Sequence, residues 1–207
     1  MKILALEFSS PVRSVAVAID GRVLGRASEQ GRRETKAFAL INSALQQAQL
    51  APEQIDCVAV GVGPGSYAGI RISISIAQGW HIARGVKLLG ISSADCVAAQ
   101  LHERGERGAL NVVIDAQRDE LFAARYELGA GWKMVSDFAL LDADEQARRS
   151  HAGEFLVRSD VDSSVAPDAA ALGKLASTSD GFVGAPELEP IYLRKAEFVK
   201  APPPRFA

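Results

Sequence analysis

The sequence predicts an α/β protein of two related halves, the second shorter than the first. Two stretches, residues 3–28 and 110–140, each read as three successive short strands. Each is followed by segments with helical spacing of apolar residues. In the first half, further strands alternate with helices, the pattern of an α/β lobe.

Residues 3–8, ILALEF, form an apolar run of strand length that ends in the polar Glu7-Phe8-Ser9-Ser10. Residues 13–19 alternate, with Val15, Val17 and Ile19 on one side, and Asp20-Gly21 is a dipeptide that favours a type I' hairpin turn. Residues 22–28 supply the return strand. After the charged break Gly31-Arg32-Arg33-Glu34, Phe38, Ile41 and Leu45 recur at helical spacing beside Ala37, Leu40, Ala44 and Ala48. This amphipathic helix stops near Ala51-Pro52, and Pro52-Glu53-Gln54 begins a short turn. A strand is expected at 57–62, a helix over 66–83, a strand at 87–91, and a helix capped by Ser92-Ser93 that runs to about Leu101.

HERGERG, residues 102–108, is glycine-bearing and charged, and reads as a solvated link between lobes of 1–104 and 105–207. Strands follow at 110–114 and 120–127 around the turn Asp115-Ala116-Gln117-Arg118-Asp119, with a third at 132–140. A helix is expected at 142–149, a strand at 154–157, and a helix at 167–176 with Pro167 in its first turn. The ending, PIYLRKAEFVKAPPPRFA, reads as an extended tail with little structure beyond Tyr192-Leu193.

Composition bounds the function. A chain of 207 residues with 48% hydrophobic content has enough apolar material for a substantial core. The formal charge of -2 gives no global electrostatic reason to bind nucleic acid. Cys57 and Cys96 lack a CxxC spacing and read as buried thiols. MKILALEFSS is too short and too broken by Glu7 for a signal peptide or membrane span, so a cytoplasmic, soluble protein is expected.

The stretch GVGPGSYAGIRISISIAQGWHIAR, residues 61–84, organises the rest. Its glycine-rich loop and helix start have two readings. Backbone N–H groups converging at Gly63, Gly65 and Ser66 suit an anion, or the loop is a strand-to-helix connection that needs glycine. It is not a Walker loop, since no Gly-Lys-Ser/Thr follows, and its spacing departs from the dinucleotide fingerprint. In the helix, Ala68, Ile72, Ile76 and Trp80 form an apolar stripe with Ile70, Ile74 and Ala77 beside it, so burial over more than one face is expected. Gly69, Ser73 and Ala77 form a stripe of small residues near Gly79. That stripe either receives a partner's helix or packs on the chain's own sheet.

ILALEFSS, GVGPGSYAGIRISISIAQGW, DAQRDELFAARY at 115–126 and PIYLR at 190–194 together span the chain. They resemble the TsaB (YeaZ) family of bacterial tRNA threonylcarbamoyladenosine biosynthesis proteins, within the actin and sugar-kinase-like (ASKHA) fold. The most specific part is GPGS followed by an aromatic and Gly-hydrophobic-Arg. The resemblance implies two lobes each starting with a three-stranded meander, the second truncated. It also implies a non-catalytic subunit that pairs with the catalytic paralogue TsaD and the ATPase TsaE, meets tRNA only through that complex, and forms a homodimer when alone.

In the family, the helix after the GPGS loop and the preceding amphipathic helix form the partner surface. Here that implies Phe38, Ile41, Leu45, Gly69, Ile70, Ser73, Ala77 and Trp80. Glu7, Ser9, Ser10, Gly63, Gly65 and Ser66 are the candidate nucleotide or anion loop. Glu7 stands where the family more often has aspartate, and Arg33-Glu34-Thr35 where it often has histidine and serine. His81, His102 and His151 form no HxxxH or HxxH pair, so no metal, cofactor or catalytic residue is expected. The competing reading is a nucleotide-binding small-molecule kinase or ATPase of the same fold. A peptidase is disfavoured by the lack of a metal-binding pair or a Ser-His-Asp arrangement. Arg118, Asp115, Asp119 and Glu120 read as a solvated turn or an inter-lobe contact.

Overall fold

The computed structural model describes residues 1–31, 36–115, 121–152, 154–158 and 164–193. Strands β1 (Lys2–Glu7), β2 (Val12–Ile19) and β3 (Arg22–Gln30) form the expected first meander. Asp20 and Gly21 both have positive φ, 47° and 78°, as a type I' turn requires. Helix α1 (Ala37–Gln47) then returns over β3. It approaches so closely that a Cβ at Gly25 would lie 2.0 Å from the Ala44 carbonyl oxygen.

After a single 3-10 turn at Pro52–Gln54, β4 (Cys57–Gly61) joins β1 in parallel. Helix α2 (Tyr67–Arg84) leads to β5 (Lys87–Ile91), which pairs with β4 in parallel. The first sheet therefore has the order β3-β2-β1-β4-β5. Its central strands β1 and β4 are covered on both faces, which is why they read as nearly continuous apolar runs.

Helix α3 (Ser93–Glu103) connects the two sheets. Cys96 enters the core of the first sheet, while Ala94, Val97, Ala98 and Leu101 face the second. Being packed on two sides explains how so small-chained a helix is buried almost all round. The second sheet repeats the meander with β6 (Gly108–Asp115), β7 (Leu121–Leu128) and β8 (Trp132–Leu141). After α4 (Ala143–His151), β9 (Phe155–Arg158) pairs with β6 in parallel, giving the order β8-β7-β6-β9. A polar network ties this edge: Asn111 and Arg125 both donate to Glu154, at 2.8 and 2.7 Å, and Arg149 donates to Asn111 at 2.6 Å.

One expectation is corrected here. Helix α5 runs Ala169–Ser177, and its N-cap is Asp168, whose Oδ1 accepts from the Ala170 N–H at 2.6 Å. Pro167 therefore precedes the cap and is not in the first turn. The division at 104/105 separates the sheets but not the packing. Ala169, Leu172 and Ala176 bury against Ile3, Ala5, Ala16 and Ala59 of the first sheet. Residues 183–192 also return there: Val183 bridges to Leu88, Leu188 enters the first core, and the Ile191 N–H donates to Val62 at 2.8 Å. Arg33-Glu34-Thr35, the turn residues Arg118, Asp119 and Glu120, and the tail from Arg194 onward lie outside the described residues, as does the side chain of Asp115.

Candidate functional site

The glycine-rich loop sits at the C-terminal ends of β1 and β4. Glu7, the last residue of β1, is completely buried. Its Oε1 accepts from the Ser9 N–H at 2.8 Å and its Oε2 from the Ser93 hydroxyl at 2.9 Å. Gly61 makes room for it, since a Cβ there would lie 1.8 Å from Oε2. Burial raises the carboxyl above its usual range, against the pull of the Ser9 and Ser93 hydrogen bonds and with a further push from Asp168.

The loop binds itself to the same neighbours. The Gly63 N–H donates to Ser93 Oγ at 3.2 Å, the Ser93 N–H to the Gly63 carbonyl at 2.8 Å, and the Ser66 N–H to the Ser9 carbonyl at 2.6 Å. Ser66 caps α2 by accepting from the Gly69 N–H at 3.3 Å. Ser10 bonds back to the backbone of Val12. Gly65 is glycine because a Cβ would lie 2.2 Å from the Ser9 carbonyl oxygen. Two of the converging donors, the Gly63 and Ser66 N–H groups, are thus used within the chain, and Pro64 has none.

Helix α2 corrects the assignment of faces. Gly69, Ile70, Ser73, Ile74 and Ala77 are its buried residues, turned to the chain's own sheet. A Cβ at Gly69 would lie 2.0 Å from the Phe8 carbonyl oxygen, so the small stripe lets α2 settle where the chain leaves β1. Ser73 satisfies its hydroxyl on the Ile70 carbonyl at 2.9 Å. On α1, Ile41 and Leu45 are likewise core residues. Of the eight expected interface positions only two reach solvent: Phe38 is 68% exposed and Trp80 is half-buried.

The outward face holds other apolar residues. Tyr67 is 60% exposed, Ile82 81% and Ile72 36%. Ile72 and Ile76 line a groove of about 360 Å³ together with Ala37, Phe38, Arg71 and Ser75. Arg71 stacks 4.3 Å over the Tyr67 ring and donates from Nε and Nη2 to the Tyr192 hydroxyl, at 3.2 and 2.8 Å. The PIYLR segment is thus fastened across the start of α2. Sequence reasoning missed Ser93 as the donor to Glu7, although its place just after the cap Ser92 left its hydroxyl free for another role. It also missed Tyr67, Arg71 and Ile82, for which the solvent side of the helix period was the available signal.

The three histidines each meet a backbone carbonyl: His81 that of Val86, His102 that of Gly129, His151 that of Ala147. Among the described residues no three His, Cys, Asp or Glu side chains are grouped as metal ligands. No helix among them is long and apolar enough to cross a membrane.

Known proteins supply the context. Residues 32–144 match the family described as TsaD: tRNA N6-adenosine threonylcarbamoyltransferase. The tRNA threonylcarbamoyladenosine biosynthesis protein TsaB of Escherichia coli is 29% identical over 128 residues, covering 61% of this chain and 55% of that protein. TsaB of Bacillus subtilis is 25% identical over 148 residues, 70% of this chain and 64% of that protein. The chain therefore spans less than two thirds of either relative's own length. The solved structure of YeaZ from Pseudomonas aeruginosa superposes with a TM-score of 0.76 at 25% identity, over 93% of this chain and 99% of that one. With sheet order, paired meanders and more than half of the sequence in agreement, the chain has the actin and sugar-kinase-like fold and belongs to the TsaD family, within which it resembles TsaB (YeaZ).

Proposed function

We propose that this protein is a non-catalytic subunit in tRNA threonylcarbamoyladenosine formation, pairing with a TsaD-like catalytic paralogue and acting with a TsaE-like ATPase. It meets tRNA only within that assembly and dimerises when alone. The observation that carries this reading is the outward apolar face of α1 and α2, with Phe38, Tyr67, Ile72 and Ile82 exposed on helices whose other side is fully used by the core. The names of the TsaB relatives supply the pathway. The internal hydrogen bonding of Glu7, Gly63 and Ser66 supports a scaffold over a nucleotide-processing enzyme, since those groups are engaged within the chain.

Co-expression with the host's TsaD-like paralogue tests it. The pair is expected to co-elute on gel filtration, and Phe38→Glu or Ile72→Glu is expected to separate it while the isolated chain stays folded. Co-elution untouched by both substitutions would remove this face from the interface. The kinase or ATPase reading is tested separately, by calorimetry of the isolated chain with ATP and magnesium; micromolar binding with hydrolysis would favour it over the scaffold.

A further inference from the structure

Arg13, on β2, is 6% exposed, yet its Nε–H and Nη1–H, both shut off from solvent, reach no acceptor among the described residues. Buried polar groups are nearly always paired, and an uncompensated buried guanidinium is among the least tolerable exceptions. The position calls for an acceptor carrying negative charge.

The sheet register gives its direction. Arg13 pairs with Glu29 across β2 and β3, and cross-strand partners share a face. Next to it, Ser14 accepts from the Ala169 N–H on the α5 side, whereas Val15 and Val17 enter the core beneath α1 and α2. Arg13, in phase with the valines, points to the α1 side. The first turn of α1 stands at that end of the face, because Glu29 Oε1 accepts from the Lys36 N–H at 2.9 Å. Helix α1 is 11 residues long and the side chain of its N-cap residue Lys36 makes no capping hydrogen bond, so the positive end of its dipole falls in the same place. Glu29 gives Oε1 to Lys36 and leaves Arg13 Nε and Nη1 unmet. Glu7, paired with Ser14, belongs to the opposite face, so the sheet itself separates this place from the Glu7–Ser93 cluster.

We infer that Arg13 and the first turn of α1 form a receptor for one small oxyanion, a carboxylate or a phosphate group. A guanidinium beside backbone N–H groups at a helix start is the donor set that such groups accept from. The receptor is independent of the subunit role proposed above, since it uses neither the outward face of α2 nor the glycine-rich loop.

Thermal unfolding of the full chain tests it, in inorganic phosphate and in acetate, each against chloride at equal ionic strength. The midpoint is expected to rise by roughly 3–6 °C at about ten times the dissociation constant of the effective anion. A rise in phosphate identifies a phosphate receptor and a rise in acetate a carboxylate receptor; Arg13→Gln should abolish either. An ¹⁵N titration of the arginine Nε–H groups of the unaltered protein should move one resonance, and needs no variant to fold. Superimposed melting curves with no moving Nε–H resonance overturn the receptor, as does a shift that Arg13→Gln retains in full.

Discussion

Glu7 and Ser93, 86 positions apart, are joined by a 2.9 Å hydrogen bond that ties the end of β1 to the first turn of α3. Burial raises the Glu7 carboxyl, so the folded chain holds that proton more tightly than the unfolded one. Its contribution to stability is then full below the ordinary value of 4.5 and is lost as pH rises through the raised folded value. Glu7→Gln removes the titrating group. Urea midpoints measured upward from pH 4.5 should fall in the parent relative to the variant; a difference that stays constant with pH would disprove the assignment.

Glu154 should act in the opposite direction. Burial pushes its carboxyl up, but the Asn111 and Arg125 hydrogen bonds outweigh this and hold it below the usual range. The stability it contributes is present above its unfolded value and is lost as pH falls through the folded one. The protection factors of the β9 amides, corrected for the intrinsic exchange rate at each pH, should therefore fall on acidification in the parent. In Glu154→Gln that acid sensitivity should be reduced, and an unchanged response would contradict the role given to this network.

The two sides of the α1–α2 layer should respond differently to substitution. Gly69→Ala places a methyl 2.0 Å from a main-chain oxygen, which has no flexible end to yield, and should cost about 3 kcal/mol in urea unfolding. Phe38→Ser, at a 68% exposed position, should change stability by about 0.5 kcal/mol or less. Similar losses for both would mean that the faces have been assigned wrongly.

How far such faces can be read from sequence depends on what fixes them. The meanders, the Asp20-Gly21 hairpin and the caps at Ser66 and Ser92 rest on local chemistry, and each was legible. Which stripe of α2 turns inward was not, because the stripe Gly69-Ser73-Ala77 and the stripe Ala68-Ile72-Ile76 have the same spacing. The choice is made by the Phe8 carbonyl, more than sixty positions away, which admits only a residue without a side chain. Arg13 was hidden in the same way: it falls in an alternating strand whose inward side the pattern marks as apolar. Asp168 as the cap of α5 was overshadowed by the more conspicuous Pro167.

Tyr126 is buried on β7 and donates its hydroxyl to Asp95 Oδ1 at 2.8 Å. Tyr126→Phe leaves that carboxylate oxygen without its donor and should cost about 1–3 kcal/mol. Burial first, and the Asp95 charge second, also raise the phenol far above its usual range. Absorbance at alkaline pH should therefore show Tyr126 ionising only as the fold opens; ionisation ahead of unfolding would contradict its burial.

The clasp of Arg71 on Tyr192 is exposed and should contribute little to global stability. Its effect should be local. Tyr192→Phe is expected to speed hydrogen exchange at the Ile191 N–H, which donates to Val62, while leaving the N–H groups of β1 unchanged. Equal protection in both proteins would show that the segment is held by Leu188 and Val183 alone.

The return of α5 to the first sheet bears on how the chain is made. The side of that sheet formed by Ile3, Ala5, Ala16, Cys57 and Ala59 is sealed by Ala169, Leu172 and Ala176. During synthesis this oily surface must wait for more than a hundred further residues to leave the ribosome. The strands emerging first are therefore among the last to be roofed over, and a nascent chain halted in the second meander would present a ready target for chaperones.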